Sequence, residues 1–584
     1  MRIRVGTLDD LKAQGRLLAK AGNHGVCVFW HDGRAYALDD RCPHMGFPLH
    51  RGSVEEGLVT CHWHHARFDL VTGGTLDPFA DDARAFPVEV DDGDVYLIVE
   101  TADGRIEHHR RRLTEGLESG LTLVTSKAVL ALLEAGEPVS SIVRVGLDFG
   151  LANRAAGWGS GLTVLVAMAN LLPHLDPADR GLALVHGLVF VARDTRGRPP
   201  RFPLAPLGDG DPSSAAAAAT LPVERLTAWY RRFIETRSDE SAERALATAI
   251  AADREPAAVA GMMLAAATDH VFLDVGHTVD FTNKAFEALA HVGWERAAAV
   301  LPSLVDQTAA ARRAEEGGRW RHPVDLAALV ARTEADLPGL LAEGAAALAL
   351  GTPFGVDRVA TLARDVLAED PEAIVAAIAD AISAGATPDQ LGQAAAYAAA
   401  LRIARFHVQN DFGDWDVVHH AFTHANALHQ CLRRHPSPEL VRGVVHAALR
   451  IYLDRFLNVP AARPPTTETG DLADLQACWD GQGGVDRAGA IAYGYLRGGG
   501  DPAALISALG RALLAEDAGF HWFQIVEAAV RQFQSWPPES EEGAMILVAA
   551  ARFLAAHTPT RRELPQVVRT AGRLRRGEDL FEPE

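Results

Sequence analysis

The hydrophobic pattern of this chain changes period once, and that change limits what it can fold into. Up to about residue 102, apolar residues fall in short alternating runs such as GVCVFW, AYALDD, GLVTCHW and FPVEVDDGDVYLIVE, broken by Asp-Gly turns. A period of two with Asp-Gly between the runs predicts an antiparallel, hairpin-rich β domain. From about Leu113 the apolar residues recur at spacings of three and four, as in SKAVLALLEAG, LTVLVAMANLLPHL and PAALISALGRALLAE. That is the period of amphipathic helices. The expected architecture is a small all-β domain, residues 1–104, followed by a large all-α domain, residues 105–584, with room for two helical lobes split near 355 or 460. At 584 residues the chain exceeds the roughly 250–300 at which one core stops growing, so two or more domains are expected. The basic run HHRRRL (His108 to Leu113) reads as the linker. GDGDPSSAAAAATLP (Gly208 to Pro222) and VPAARPPTTETGD (Val459 to Asp471) read as loops.

Composition excludes several classes of function. The net charge is −20, with no basic stripe to neutralise a phosphate backbone, so nucleic acid is not an expected partner. No run reaches the roughly 18 uncharged apolar residues of a membrane span. The start, MRIRVGTLDDLKAQG, carries charge where a secretory leader needs its apolar stretch. The expected setting is cytoplasmic, away from membranes. Of five cysteines, Cys27, Cys431 and Cys478 are scattered in apolar or helical surroundings and read as buried thiols rather than a disulfide framework.

The strongest chemical signal is Cys42-Pro43-His44, sixteen residues, then Cys61-His62-Trp63-His64. Two thiolates and two imidazoles can hold the two irons of a [2Fe–2S] cluster, the imidazoles raising its potential above that of an all-cysteine cluster. The same four residue types also make a tetrahedral zinc site. The flanking residues speak for the cluster. RCPHMGFPLHRGSV and CHWHHARFDLVTGGTLDPF resemble the two boxes of Rieske ferredoxins and Rieske oxygenases, and ARAFPVEVDDGDVYLIVE resembles the closing strands of that domain. Phe68-Asp69 and Thr72-Gly73 match the usual F-D-x-x-T-G stretch, and Pro78 sits where a proline-containing loop covers the cluster. The resemblance implies a [2Fe–2S] cluster on Cys42, His44, Cys61 and His64, with His44 and His64 as the electron exit. His65 stands where the family most often has glycine, a departure expected to alter cluster exposure or potential but not ligation. Respiratory-complex members carry an extra disulfide in the boxes; Phe47 and Trp63 occupy those places here.

No Gly-rich dinucleotide or flavin fingerprint is present; the run Gly157-Trp158-Gly159-Ser160-Gly161 has the wrong spacing. Electrons are therefore expected from a separate reductase or ferredoxin. The helical part supplies histidines at helical spacing. His270, Asp274 and His277 fall at i, i+4 and i+7, and Asp416, His420 and His424 at i, i+4 and i+8. Asp517 and His521 form a further i, i+4 pair, with Glu527 nearby. Helices that turn His and carboxylate inward build iron sites, and two His with one carboxylate is the ligand set of non-haem ferrous oxygenases. Such pairs also stabilise exposed helices. Asp416, His419 and His424 fit D-x-x-H-x-x-x-x-H, but His420 shares a helical face with His424 better than His419 does. TDHVFLDVGHTVDFTNKAFEALAHVGW and DVVHHAFTHANALHQCL resemble segments of the helical questin oxidase-like proteins, which implies oxidation and carries over no substrate.

Three functions are compatible with these residues. The first is a Rieske-fed oxidoreductase whose helical domain holds a second, non-haem iron on a subset of His270, Asp274, His277, Asp416, His420, His424 and His521. It would oxidise or oxygenate a small organic substrate. The second is an electron-transfer protein whose helical domain docks a partner enzyme. The third is a cofactor-independent or haem-bearing helical oxidase. The sequence leaves room for an oligomer.

Overall fold

The computed structural model describes residues 2–21, 24–99, 105–351, 353–466, 470–576 and 578. Among them the first hundred form three small antiparallel sheets. The strands are β1 (Arg2–Thr7), β2 (Arg16–Ala21), β3 (His24–His31), β4 (Arg34–Asp39), β5 (Ser53–Glu55), β6 (Leu58–Thr60), β7 (Arg67–Asp69), β8 (Ala85–Phe86), β9 (Val88–Asp91) and β10 (Asp94–Ile98). They pair in the orders β1-β10-β9, β2-β3-β4-β8 and β5-β6-β7.

β3 is buried on both faces. Val26 and Val28 pack into one core with Leu11, Phe86, Val95 and Leu97. Cys27 and Phe29 point the other way, into a core with Leu38, Leu49, Val59 and Phe68. Burying each such side chain is worth about 1.5–3 kcal/mol, and the period of two lets one strand serve both cores. The Asp-Gly turns form as expected: Asp32 and Gly33 have φ of 48° and 76°, Asp92 and Gly93 of 49° and 80°. Positive φ at both central residues matches the twist of the strands they join. Glu56 and Gly57 (49° and 78°) make a third such turn between β5 and β6.

The chain is helical from Arg105 onward, as the change of period predicts; the join itself, 100–104, lies outside the described residues. The compact units do not divide at that join. One comprises Met1–Gly146 with Glu563–Glu584, the other Leu147–Arg562. Within the first, the strands are accompanied by α1 (Leu8–Gln14), α2 (Arg105–Ser119), α3 (Thr122–Glu134) and a helix near the chain's end, Glu563–Arg575, which packs on α3. The second is one unit, with no division at 355 or 460.

Two local expectations are corrected. HHRRRL is no linker: it lies inside α2, and Arg112 is buried, its Nε 2.9 Å from Asp81 Oδ1 and its Nη2 2.7 Å from the Ala80 carbonyl. Arginine carries five donors, and partners that satisfy them make its burial possible. Within Gly208 to Pro222, residues Pro212–Ala219 are a helix. Asp211 caps the amides of Ser213 and Ser214, Pro212 suits the first turn, and an alanine run follows. The segment from Val459 is irregular as expected, with 467–469 outside the described residues.

In the second unit, the helices that matter below are α4 (Ser160–Leu171), α5 (His277–Val292), α6 (Trp415–Arg434), α7 (Pro438–Leu453), α8 (Phe520–Phe533) and α9 (Glu541–His557). α6 packs against α5, α7 and α8, and α8 against α4 and α9. No helix among the described residues is long and apolar enough to cross a membrane.

Candidate functional site

Two loops of the β domain carry the four residues of the C-x-H…C-x-x-H motif, and they are built alike. After β4, Gly46 donates its amide to the Cys42 carbonyl (2.8 Å) and Cys42 donates to the Phe47 carbonyl (2.8 Å). After β6, His65 donates to the Cys61 carbonyl and Cys61 to the Ala66 carbonyl, each at 2.9 Å. Each loop folds back on its cysteine, and together they bring all four side chains to one place. The Cys42 thiol donates to Cys61; that bond, with burial, pushes the Cys42 pKa up, and on Cys61 the same bond, helped by the Trp63 and His64 amides, outweighs burial and draws the pKa down to about 6. The His44 and His64 rings meet edge to face with centroids 4.8 Å apart. Burial, reinforced by His64 and Lys127, holds the His44 imidazole neutral, with a pKa of about 4. Its Nδ1 is buried and makes no hydrogen bond among the described residues. Phe79, next to Pro78, packs against the His44 ring at 5.0 Å.

The Rieske [2Fe-2S] domain family model matches residues 1–87. A human Rieske domain-containing protein is 34% identical over 112 residues, covering 16% of this chain and 71% of the relative. The chain belongs to the Rieske family. The 3-phenylpropionate/cinnamic acid dioxygenase ferredoxin subunit of Photorhabdus laumondii is 38% identical over 76 residues, covering 13% of this chain and 72% of the relative. The solved ferredoxin of carbazole 1,9a-dioxygenase from Nocardioides aromaticivorans is 28% identical, with 17% of this chain and 99% of that chain covered, at a TM-score of 0.17. A Rieske domain implies a [2Fe–2S] cluster. The residues fit one: touching thiols, facing imidazoles, and an orphaned buried ring nitrogen on His44.

The Rieske domain is not the only place where histidines gather. In the second unit, one nitrogen each of His277, His420 and His521 lie within 4.8 Å of one another, and so do single donor atoms of Asp416, His419 and His521. His277 opens α5, His419 and His420 lie in the second turn of α6, and His521 is at the start of α8. Ring centroids are 4.9 Å apart for His277–His420, 4.5 Å for His420–His521 and 3.8 Å for His419–His521. His420 Nδ1 donates to the Asp416 carbonyl, which leaves the Nε2 lone pair available. Burial, then the neighbouring imidazoles, depress the pKa of His420 to about 4 and of His521 to about 2. His419 is driven well below the usual range by the same causes, and neither of its ring nitrogens makes a hydrogen bond among the described residues. Asp416 Oδ1 approaches its Nδ1 to 3.5 Å without the geometry of one. Neutral imidazoles around a carboxylate can hold a divalent metal.

The remaining sequence candidates stand apart from this group. His270, Asp274 and His277 do not share a helical face, because the chain turns sharply between them: Phe272, Asp274 and Val275 have φ of 48°, 45° and 51°, and Gly276 of 97°. A left-handed β-branched residue is a real outlier, and such strain gathers at functional sites. His270 is clasped by Glu235 and Glu315, and half-exposed Asp274 faces Arg312 at 3.8 Å. His424 turns from the group: its Nδ1 donates to the Gly276 carbonyl at 3.3 Å and its ring packs on Phe272. A Cβ on Gly276 would come within 2.9 Å of the His424 Cβ, so glycine permits this approach. Asp517 precedes α8 rather than sharing a face with His521, and Glu527 lies further along α8 in a separate charge network. His419 is the residue that sequence reasoning set aside, although the D-x-x-H pattern from Asp416 names it. A cavity of about 340 Å³ adjoins the strained turn, lined by Phe272, Val275, Trp320 and Arg450 among others.

Proposed function

We propose that the protein is a Rieske oxidoreductase in which Cys42, His44, Cys61 and His64 hold the [2Fe–2S] cluster and a histidine group in the helical unit holds a second, non-haem iron. The cluster supplies one-electron chemistry. Cys42 and Cys61 would serve one iron, and the ring nitrogens of His44 and His64 the other. The single observation that carries the second site is the convergence of His277, His420 and His521 from three helices, with Asp416 and His419 beside them. Four crowded imidazoles that make few hydrogen bonds are hard to account for by stability, since a buried polar group without a partner costs about 1–3 kcal/mol; a bound cation would satisfy them together. Asp416 would add a carboxylate, and the hydrogen bond from His420 to the Asp416 carbonyl fixes which ring nitrogen faces inward.

On this reading an external reductase or ferredoxin supplies electrons, and a small organic substrate occupies the cavity beside Phe272 and Arg450 and is oxidised or oxygenated. That relatives are named as ferredoxin components of dioxygenase and monooxygenase systems favours such a partner. Iron and acid-labile sulfide per chain test the reading. Three or four irons with two sulfides support it; two irons with two sulfides leave electron transfer alone, with the helical unit as a docking module. Cys42→Ser should abolish the Rieske visible spectrum, and one zinc without sulfide would sink the cluster assignment.

A further inference from the structure

We infer that Lys127 and Asp81 set the reduction potential of the cluster from outside the Rieske fold, Lys127 as a positioning residue whose charge is delivered to the cluster loop by a helix. Lys127 lies on α3, beyond the residues 1–87 that match the family. Its Nζ donates to the carbonyl of Pro43 and, at 3.1 Å, to that of His44. The ammonium therefore caps the backbone between two ligand positions, Cys42 and His44. Behind it, Nζ lies 3.5 Å from Asp81 Oδ2, and Asp81 in turn receives the Arg112 Nε of α2. Arg112 also binds Ala80 O and Glu115. The loop that places Phe79 against His44 is thus tied to the same cations.

Three of these groups are largely screened from solvent, with the Lys127 side chain 11% exposed, Asp81 18% and Arg112 7%. Charges so placed act through a medium far less polarisable than water. One-electron reduction adds a negative charge to the cluster. A cation at Lys127 stabilises that added charge and an anion at Asp81 opposes it. The two residues should therefore move the midpoint in opposite directions, whereas a loosened loop would not distinguish their signs. The helices that follow the Rieske fold become part of the redox centre in this way.

This inference rests on the ligand assignment proposed above. The test uses the full-length protein and spectroelectrochemical titration at fixed pH, with the visible spectrum confirming the cluster in each variant. Lys127→Met should lower the midpoint, disfavouring reduction by about tenfold, equivalent to about 59 mV for a one-electron couple. Lys127→Arg should stay closer to the wild type than to Lys127→Met, and Asp81→Asn should raise the midpoint. A wild-type protein without a cluster refutes the ligand assignment and this inference with it. With the cluster present, an unmoved Lys127→Met, a Lys127→Arg as low as Lys127→Met, or an Asp81→Asn that fails to rise overturns the inference alone. Should Lys127→Met lose its cluster, Asp81→Asn and Lys127→Arg decide the matter by the same criteria.

Discussion

Gly46 and His65 hold the same place in the two cluster loops. Each lies four residues after its cysteine, each donates its amide to that cysteine's carbonyl, and each has positive φ, 84° and 61°. Left-handed backbone costs a residue with a Cβ roughly 1–2 kcal/mol, which gives the family's preference for glycine at His65 a physical cause. His65→Gly should raise the thermal stability of the Rieske domain, by up to about 1 kcal/mol after the extra unfolded-state freedom of glycine is set against it. Gly46→Ala should lower it, since the new Cβ is left-handed and 3.1 Å from Leu574 Cδ2. Melting followed by visible circular dichroism checks both; a less stable His65→Gly would contradict the strain.

The imidazole group makes a selective prediction. His277→Ala with His420→Ala should remove about one iron per chain and leave the Rieske absorption intact, because both take a donor from the same three-helix convergence. His270→Ala should leave iron content unchanged, since His270 is held by Glu235 and Glu315 instead. Iron analysis beside the visible spectrum reads both; loss of iron in His270→Ala would put the site elsewhere.

The His270 clasp should be visible in the pH dependence of stability. Burial opposes a charged imidazole here, but the hydrogen bonds to Glu315 and Glu235 outweigh it and raise the His270 pKa. Its contribution is complete below the unfolded value of about 6.5 and is lost as pH rises through the folded one. Glu315 is lowered, burial being outweighed by His270 and backbone donors, so its contribution is present above an unfolded value of about 4.3 and lost below it. The melting-temperature gap between wild type and His270→Gln should be widest near about pH 5.5 and should narrow toward about pH 8 to 9. A gap that stays constant over that range is incompatible with the clasp.

Lys284 is buried in the second unit between two carboxylates, Nζ lying 2.8 Å from both Glu287 and Glu527. Asn170 of α4 donates to the same pair, and Arg434 and Arg531 approach from α6 and α8. Glu287 stays ionised despite its burial, with Lys284 the chief stabilising charge and a pKa of about 2. Removing one partner of a buried pair leaves an uncompensated charge, at about 3–5 kcal/mol. Lys284→Met should lower thermal stability sharply, and Glu527→Gln added to it should restore part of the loss. If the double variant is no better than Lys284→Met, repulsion between the carboxylates is not the cause.

What could be read from the sequence was what local pattern controls. The period change, the Asp-Gly hairpins and the cluster loops each depend on residues close in the chain, and Cys27, Cys431 and Cys478 are buried as their surroundings implied. The histidine group is different. Helical spacing correctly put Asp416 and His420 on α6 and drew His277 and His521 into the list. It could not show that the turn at Phe272 to Gly276 removes His270 and Asp274 from the face of α5, since that depends on left-handed backbone at Phe272 and Val275, which no propensity favours. Nor could spacing rank His419 above His424, because the choice is made by where α8 brings His521. The linker failed for a related reason: an arginine run looks solvated until Asp81 and Ala80 are known to satisfy it.

The first compact unit draws on both ends of this sequence, with α3 covered by Glu563–Arg575 and everything from Leu147 to Arg562 intervening. On the ribosome that last helix emerges only after the entire second unit has been made. One side of α3 therefore stays bare through most of translation. Completion of the first unit is thereby timed by synthesis of the second, and a chain stopped at Arg562 would lack the helix that packs on α3.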